Sequence, residues 1–536
     1  MLARAALLEL PLTPSAASTR VSWIVGLLCT LHLSAAPVSA RAVTLIYSND
    51  VAAELEPCGC RENPYGGMVR KAGLLGTLGK EALIQVDAGN LLFKTGLIPG
   101  PLEKQSAVQA RYVLQAHEKL AQDVSIPGDK DFALGVQFFT ELVVKSKVKF
   151  LAANLRRKNG KAFLDGSVIL ERPGTDGKVV KIAVIGLVGE RLTWPKELSA
   201  SSAVEAARKE IPRLRKKADF VIAVTHQGFD ADQALAKKVS GIDIIVGGHS
   251  QTFLQEPFKV EVAGASPTWI VQSSFRNQYV GIFPLLKPEA HRLVGLDAGY
   301  EAPDKSTPVR EEIKKLVDEF KASVAATNSE PSELSAAGLR DSAGKKYQTF
   351  PRCAECHWKQ FDFWRKTSHA NALAPLLKKQ QLRNKACLGC HSVGLADPQG
   401  YSELDQIATL REPDSTEKPY SIEDLASWLS SVHGASSLKT EVKFTREDPA
   451  PSPIRRSISR LGTAFAPVQC ENCHGPGENH PFSDGYKKAV AQTTCLKCHT
   501  AEMAPKWYGL SGLPNEPVIA GKLKSISCPA GELEPD

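Results

Sequence analysis

The chain has 536 residues, 43% hydrophobic and 23% charged, with no long low-complexity tract, which fits a globular protein of roughly three domains rather than a disordered one. Its formal net charge of +8 is small for that length and compels no nucleic-acid partner.

Residues 1–40 do not belong to the fold. Arg4 and Arg20 bracket a polar lead, Val21 to Ala36 is mostly apolar, and Val38-Ser39-Ala40 supplies small residues for cleavage. That order is the order of a secretory signal peptide. The apolar stretch of about sixteen residues is short of the roughly twenty that a membrane span needs, so cleavage is expected over an uncleaved anchor. Leu28 before Cys29, with apolar residues beyond it, argues against a lipoprotein. No later stretch is long and apolar enough to cross a bilayer, so no stable membrane span is expected after cleavage. The mature protein is expected to be soluble and periplasmic.

Residues 43–300 alternate short β-rich runs with helical stretches. The strands are Val43–Tyr47, Ala82–Val86, Lys181–Ile185, Phe220–Val224 and Ile242–Val246, and the helices include Gln105–Ala121 and Ala203–Lys216. That rhythm predicts an α/β sheet covered by helices. Polar residues gather just after the strands, at Asn49-Asp50, Asp87 to Asn90, His226 and His249, and this carboxyl edge is where α/β sites form. Cys58-Gly59-Cys60, with Cys528 far downstream, leaves an odd number of thiols and no assignable connectivity.

Residues 301–346 read as a helix and a linker. Thr307-Pro308 is an N-cap followed by a first-turn proline, and Val309, Ile313, Leu316, Val317, Phe320 and Val324 line one face, expected to dock one domain on the other. Asn328 to Gly344, rich in Ser, Ala, Gly and Glu, reads as linker. Residues 347–536 should be short helices and loops, with surface loops at Pro413–Tyr420 and Glu447–Arg456.

Eight of the twelve cysteines fall into four identical patterns: Cys353-x-x-Cys356-His357, Cys387-x-x-Cys390-His391, Cys470-x-x-Cys473-His474 and Cys495-x-x-Cys498-His499. C-x-x-C-H is the signature of c-type haem attachment. Two thiols three positions apart reach the two vinyl groups of one porphyrin, and the adjacent histidine ligates the iron. Zinc could take two C-x-x-C units, but it does not require a histidine after every pair. A thioredoxin-like motif would need a strand-to-helix context that is missing. Four covalent c-type haems are therefore expected. His369, His433 and His480 remain in the same region as candidate distal ligands, and Met503 is the only local thioether. Bis-histidine iron is favoured, and three spare histidines for four irons suggest one open or weakly held face.

This region, over about residues 347–505, resembles the tetrahaem cytochrome c554/c-prime family, through Trp364-x-x-x-Ser368-His369, His391-Ser-Val-Gly394 leading to Gly400-Tyr401, and Gln469 to Gly477. The resemblance implies that three haems are bis-histidine and that the second, on His391, is five-coordinate.

The clusters of residues 43–300 resemble the calcineurin-like metallophosphatase domain of the 5′-nucleotidase family, in which D-x-H, G-D, G-N-H, a lone His and G-H-x-H hold two metals that activate water against a phosphate ester. The chain departs from that pattern. Ala52 replaces the first histidine beside Asp50, and Asn90 replaces the bridging aspartate. Gly128-Asp129-Lys130-Asp131 replaces G-N-H, and Gln251 replaces the last histidine. An amide at the bridge and an ammonium nearby work against holding two dications, so loss of the dinuclear site is expected. Asp50, His226 and His249 survive as a vestigial metal site or as satisfied polar residues.

The expected architecture is an α/β metallophosphatase-like sandwich followed by a mainly α, loop-rich multihaem cytochrome c domain. The leading functional expectation is an electron carrier that exchanges electrons with redox partner proteins. The alternatives are an oxidoreductase acting on a small nitrogen or sulfur species at an open haem, and a phosphohydrolase fused to a cytochrome.

Overall fold

The computed structural model describes residues 43–57, 64–78, 82–174, 178–262, 264, 266–297, 300, 307–329, 346–434, 453–478, 480, 490–509 and 512–529. The signal-peptide segment, Cys58-Gly59-Cys60 and most of the linker lie outside the described residues.

Two six-stranded sheets stack face to face. In the first, the order runs Arg292–Gly295, Tyr279–Pro284, Thr44–Ser48, Leu83–Asp87, Val124–Ser125, Lys149–Phe150, with the last four strands parallel. In the second it runs Phe258–Val260, Thr268–Val271, Ile244–Gly248, Phe220–His226, Val179–Val188, Ser167–Pro173, with antiparallel strands only at its edges. The central strands read as continuous apolar runs because both of their faces are buried. Leu45, Tyr47, Ile84 and Val86 of one sheet meet Ile182, Val184, Ile222 and Val246 of the other between the layers. Helices Ala203–Arg215 and Phe229–Lys238 cover the outer face of the second sheet. Helices Met68–Gly76, Glu103–Lys119 and Pro308–Thr327 cover the first. The α/β sandwich expected from the sequence is therefore the fold of this region.

Helix Pro308–Thr327 buries the six apolar residues that the sequence pattern singled out. They pack in the same core as the helices Met68–Gly76 and Glu103–Lys119, so the stripe completes the α/β region rather than docking a second one on it. Only the end of the helix reaches further: Asn328 donates to the carbonyl of Arg383 at 2.7 Å.

From residue 346 onward, short helices surround a separate core of Phe350, Trp364, Leu388, Tyr401, Leu425 and Ile458. A small sheet of Glu417–Pro419, Ala408–Arg411 and Leu461–Ala464 also belongs to this region. Pro413–Tyr420, read as a surface loop, contains the turn and return strand of that hairpin; of Glu447–Arg456, residues 453–456 begin the helix Pro453–Ser459 and the rest lie outside the described residues. Strands of three or four residues are too short to show a two-residue alternation.

Several polar contacts among the described residues tie the regions together. In one, Arg276 lies buried between Glu54, 3.3 Å away, and Glu502, 2.5 Å away, with Lys94 3.7 Å from Glu502. Burial pushes the Glu54 carboxyl up to about 7, against the opposing pull of Arg276. Its ordinary value is about 4.3, so the folded state keeps a proton that the unfolded chain loses. This group's contribution to stability therefore falls as pH rises through that window, by on the order of 3–4 kcal/mol in all. Denaturant midpoints are expected to drop between pH 5 and pH 7, and Glu54→Gln should flatten part of the drop. An unchanged slope in that variant would contradict the assignment.

Candidate functional sites: a histidine-carboxylate cleft and the haem-attachment motifs

The carboxyl ends of the central strands of both sheets converge on one cleft. Asn49-Asp50 follows Thr44–Ser48, Ala88-Gly89-Asn90 follows Leu83–Asp87, His226 ends its strand and His249 follows Ile244–Gly248. The backbone is left-handed at Asp50, Ala52, Asn90, His249 and Gln251, all non-glycine residues. Such conformations cost on the order of 1–3 kcal/mol each and cluster at functional sites. The approach of the two sheets also requires Gly248, since a Cβ there would lie 2.2 Å from the Ala88 carbonyl oxygen and 2.9 Å from His226 Nδ1.

The structure brings His226 and His249 together, with ring centroids 5.2 Å apart, and sets Asp129 rather than Asp50 against both. His226 Nε2 lies 3.4 Å and His249 Nδ1 3.7 Å from Asp129 Oδ1. His226 Nδ1 donates to the Ala88 carbonyl at 2.6 Å, which turns Nε2 toward the cleft. Burial pushes Asp129 up, but the two imidazoles outweigh it and hold the carboxyl well below the usual carboxylate range. Burial works against a proton on His226, yet Asp129 and Asp50 raise its affinity above that of an ordinary imidazole.

Asp50, assigned with the two histidines on sequence, stands outside this cluster. Its Oδ1 accepts from Asn90 Nδ2 at 3.1 Å, and its Oδ2 accepts from Asn49 Nδ2 at 3.0 Å and from the His249 N–H at 2.9 Å. Asn90 Oδ1 accepts the Lys130 N–H at 3.0 Å, which fixes the orientation of that amide. Sequence reasoning passed over Asp129 because its neighbour Lys130 drew attention as a misplaced cation. The available signal was a carboxylate one position before the expected histidine.

In the second region, the four motifs lie against one another. The Cys353 side chain lies beside that of Cys470, and the Cys390 side chain beside that of Cys498. The His357 and His480 ring centroids are 5.9 Å apart, and those of His369 and His499 are 6.1 Å apart. Two imidazoles bound edge-on to one iron by bonds of about 2 Å would have roughly this centroid separation, so each pair could hold one haem iron. His391 Nδ1 donates to the Ala372 carbonyl at 2.6 Å and His433 Nδ1 to that of Arg365 at 2.8 Å. Each bond fixes the tautomer that presents Nε2 to a metal. Trp507 stacks on His499 at 4.4 Å, a contact that nothing in the motif spacing announces.

The helix Lys385–His391, which carries the second motif, is gripped by the α/β region. Gln105, 1% exposed, accepts the Lys385 N–H at 3.0 Å and Asn328 Nδ2 at 2.8 Å, and donates to Asn384 Oδ1 at 2.6 Å. Asn384 caps this helix at the Ala386 N–H. Lys385 Nζ lies 2.7 Å from Glu403 and 3.4 Å from the Pro101 carbonyl.

A family model described as cytochrome c554 and c-prime matches residues 352–413. A snake venom 5′-nucleotidase of Gloydius brevicauda is 27% identical over 257 residues, 44% of this chain and 42% of the relative. An apyrase of Tabanus yao is 32% identical over 176 residues, 29% of this chain and 30% of the relative. The chain thus spans less than half the length of each of these relatives. Among solved structures, a 5′-nucleotidase precursor from Thermus thermophilus aligns with 69% of this chain and 75% of its own, at 19% identity and a TM-score of 0.44.

Proposed function

From a chain that joins a 5′-nucleotidase-like region to a haem-binding region of the cytochrome c554 type, we propose an exported tetrahaem electron-transfer cytochrome whose α/β region no longer hydrolyses phosphate esters. The observation that carries the first part is the convergence of four C-x-x-C-H motifs with two histidine pairs at axial-ligand spacing. Cys353 and Cys356, Cys387 and Cys390, Cys470 and Cys473, and Cys495 and Cys498 would hold the four porphyrins, with His357, His391, His474 and His499 as proximal ligands. His480 and His369 complete the first and fourth, and His433 is left for the third, on His474. When bound, each haem takes up and releases one electron. The polypeptide fixes ring orientation, through Ala372 and Trp507, and brings the motifs close enough for electrons to pass between them. Redox partner proteins in the periplasm are the implied donors and acceptors. No described helix is long and apolar enough to cross a membrane.

The α/β region lacks the charge for two metals. Asn90 stands where a bridging carboxylate is required, and its amide is hydrogen-bonded to Asp50.

A second reading, small-molecule chemistry at one haem, is favoured by His391, which among the described residues has no facing imidazole. The absorbance spectrum of the dithionite-reduced holoprotein with and without carbon monoxide tests it. A shift amounting to about one haem in four is expected. No shift would mean that every iron has two protein ligands and would leave electron transfer alone.

A further inference from the structure

Two carboxylates, one guanidinium and one ammonium meet where the α/β region touches the turn after the fourth C-x-x-C-H motif. Glu54, Arg276 and Lys94 come from loops of the α/β region, and Glu502 stands three residues beyond His499. Backbone bonds fix these loops. The Arg276 N–H donates to the Asp50 carbonyl at 2.8 Å, the Ala53 N–H to that of Leu91 at 2.9 Å, and the Met503 N–H to that of Thr500 at 3.0 Å. Arg276 itself is left-handed, with φ of 54°, a conformation that persists only where its surroundings impose it.

The charges are not shared evenly. Arg276 Nη1 donates to Glu502 at 2.5 Å, while its Nε stands 3.3 Å from Glu54. Lys94 also leans on Glu502, at 3.7 Å. Glu502 therefore takes the closer share of both cations, and Glu54 is held more weakly. The Glu54 side chain is also the more enclosed, 14% exposed against 31% for Glu502. Enclosure penalises a carboxylate, and the loose pairing does not repay it. Burial accordingly pushes the Glu54 carboxyl up to about 7 against the pull of Arg276 and Lys94. Glu502 and Glu56 add negative charge that favours the neutral acid, and Glu56 is itself paired with Lys321 at 2.9 Å. Lys94 and Glu502 form the solvent side of the cluster, so a proton has a short way in.

An enclosed carboxyl that titrates near neutrality responds to any new charge beside it, because salt screens such a site poorly. An electron arriving at a haem on His499 is such a charge, delivered at the turn that carries Glu502.

We propose, on the reading of the fourth motif as a haem site, that Glu54 is the proton acceptor of a proton-coupled electron transfer. Glu54 takes a proton from solvent when the haem on His499 is reduced and returns it on oxidation. The step balances: one electron passes from a redox partner to the iron, one proton passes from solvent to the carboxylate, and no other bond changes. Negative charge on the haem raises the proton affinity of Glu54 by about threefold to tenfold at the effective dielectric of a protein interface. Below about pH 6 Glu54 carries its proton in both redox states, and well above about pH 8 in neither. Between these limits the potential of the fourth haem falls as pH rises. A tenfold difference in affinity converts to a total fall of about 59 mV.

The test is a redox titration of the full-length holoprotein from about pH 5 to pH 9. The fourth haem is identified by the low-spin electron paramagnetic resonance signal that His369→Ala removes. Haem propionates titrate as well, so the comparison between variants decides. Glu54→Gln should flatten the fall between pH 6 and pH 8. It should also remove the protonated-carboxyl band that reduction adds to the infrared difference spectrum. Glu502→Gln frees Arg276 for Glu54 and removes a negative neighbour, so it should move the window to lower pH. That variant keeps the claim testable where Glu54→Gln folds poorly. Four haems with the pH profile and infrared band unchanged in Glu54→Gln, or a window unmoved in Glu502→Gln, would overturn the proton coupling and leave the cytochrome assignment standing. A count that lacks the fourth haem would overturn that assignment, and the proton coupling with it.

Discussion

Replacing His480 by alanine is expected to turn one haem in four from an inert, low-spin centre into one that binds carbon monoxide. The rings of His357 and His480 have centroids 5.9 Å apart, the spacing that two imidazoles on opposite sides of one iron would have. His480 is exposed, so its removal leaves no void in the core. The effect should be confined to the first haem. Its low-spin electron paramagnetic resonance signal should disappear while the others persist. Its potential should shift by on the order of 0.1 V or more, a fraction of the roughly 0.8 V over which axial ligands tune haem iron. His369→Ala should reproduce the outcome at the fourth haem, through His499. If His480→Ala leaves all low-spin signals in place, the pairing with His357 is wrong.

The second large effect is expected at Gln105, far from every motif in sequence. Gln105→Leu keeps the volume but strands the buried Lys385 N–H, removes one of two donors from Asn384 Oδ1, which keeps the Ala386 N–H, and removes one acceptor from Asn328. An orphaned buried group costs about 1–3 kcal/mol, so a destabilisation on the order of 2 kcal/mol is expected in chemical denaturation. A purely structural loss would stop there. Because this contact holds the start of the helix carrying Cys387, Cys390 and His391, the His391 haem should also change its carbon monoxide spectrum or its potential. The signals of the bis-histidine haems should be untouched. Gln105→Glu, which retains the acceptor oxygens and loses the donor, should fall between the two. A variant destabilised with all four haems unaltered would separate the contact from the haem site. The α/β region thus holds the start of the helix that carries the second motif.

Much of this was legible in the chain. The continuous apolar runs around Ile84, Val184, Ile222 and Val246 announce strands buried on both faces, and Thr307-Pro308 with its apolar stripe announces a helix to within a residue. The haem motifs are legible because covalent attachment fixes their spacing locally. What was not legible comes from contacts between distant segments. Asp129 reaches His226 and His249 only because two different sheets end at the same edge, and one-dimensional comparison with a metal-binding pattern hides a carboxylate that has changed places with an amide. Gln105 sits in a helix with nothing in its spacing to set it apart. Its role exists only where Asn328, Asn384 and Lys385 arrive beside it. The pairing of His357 with His480 and of His369 with His499 likewise belongs to the folded chain, since sequence supplies the candidates and not their partners.

The central claim, four haems held covalently by Cys353 to His499, is tested most directly by counting haem on the exported, acid–acetone-extracted protein, using intact mass and the pyridine haemochrome spectrum together. Four haems retained per chain after extraction is the predicted result. Haem that extracts into the organic phase, or a count below four with free thiols at any of the motifs, would contradict it.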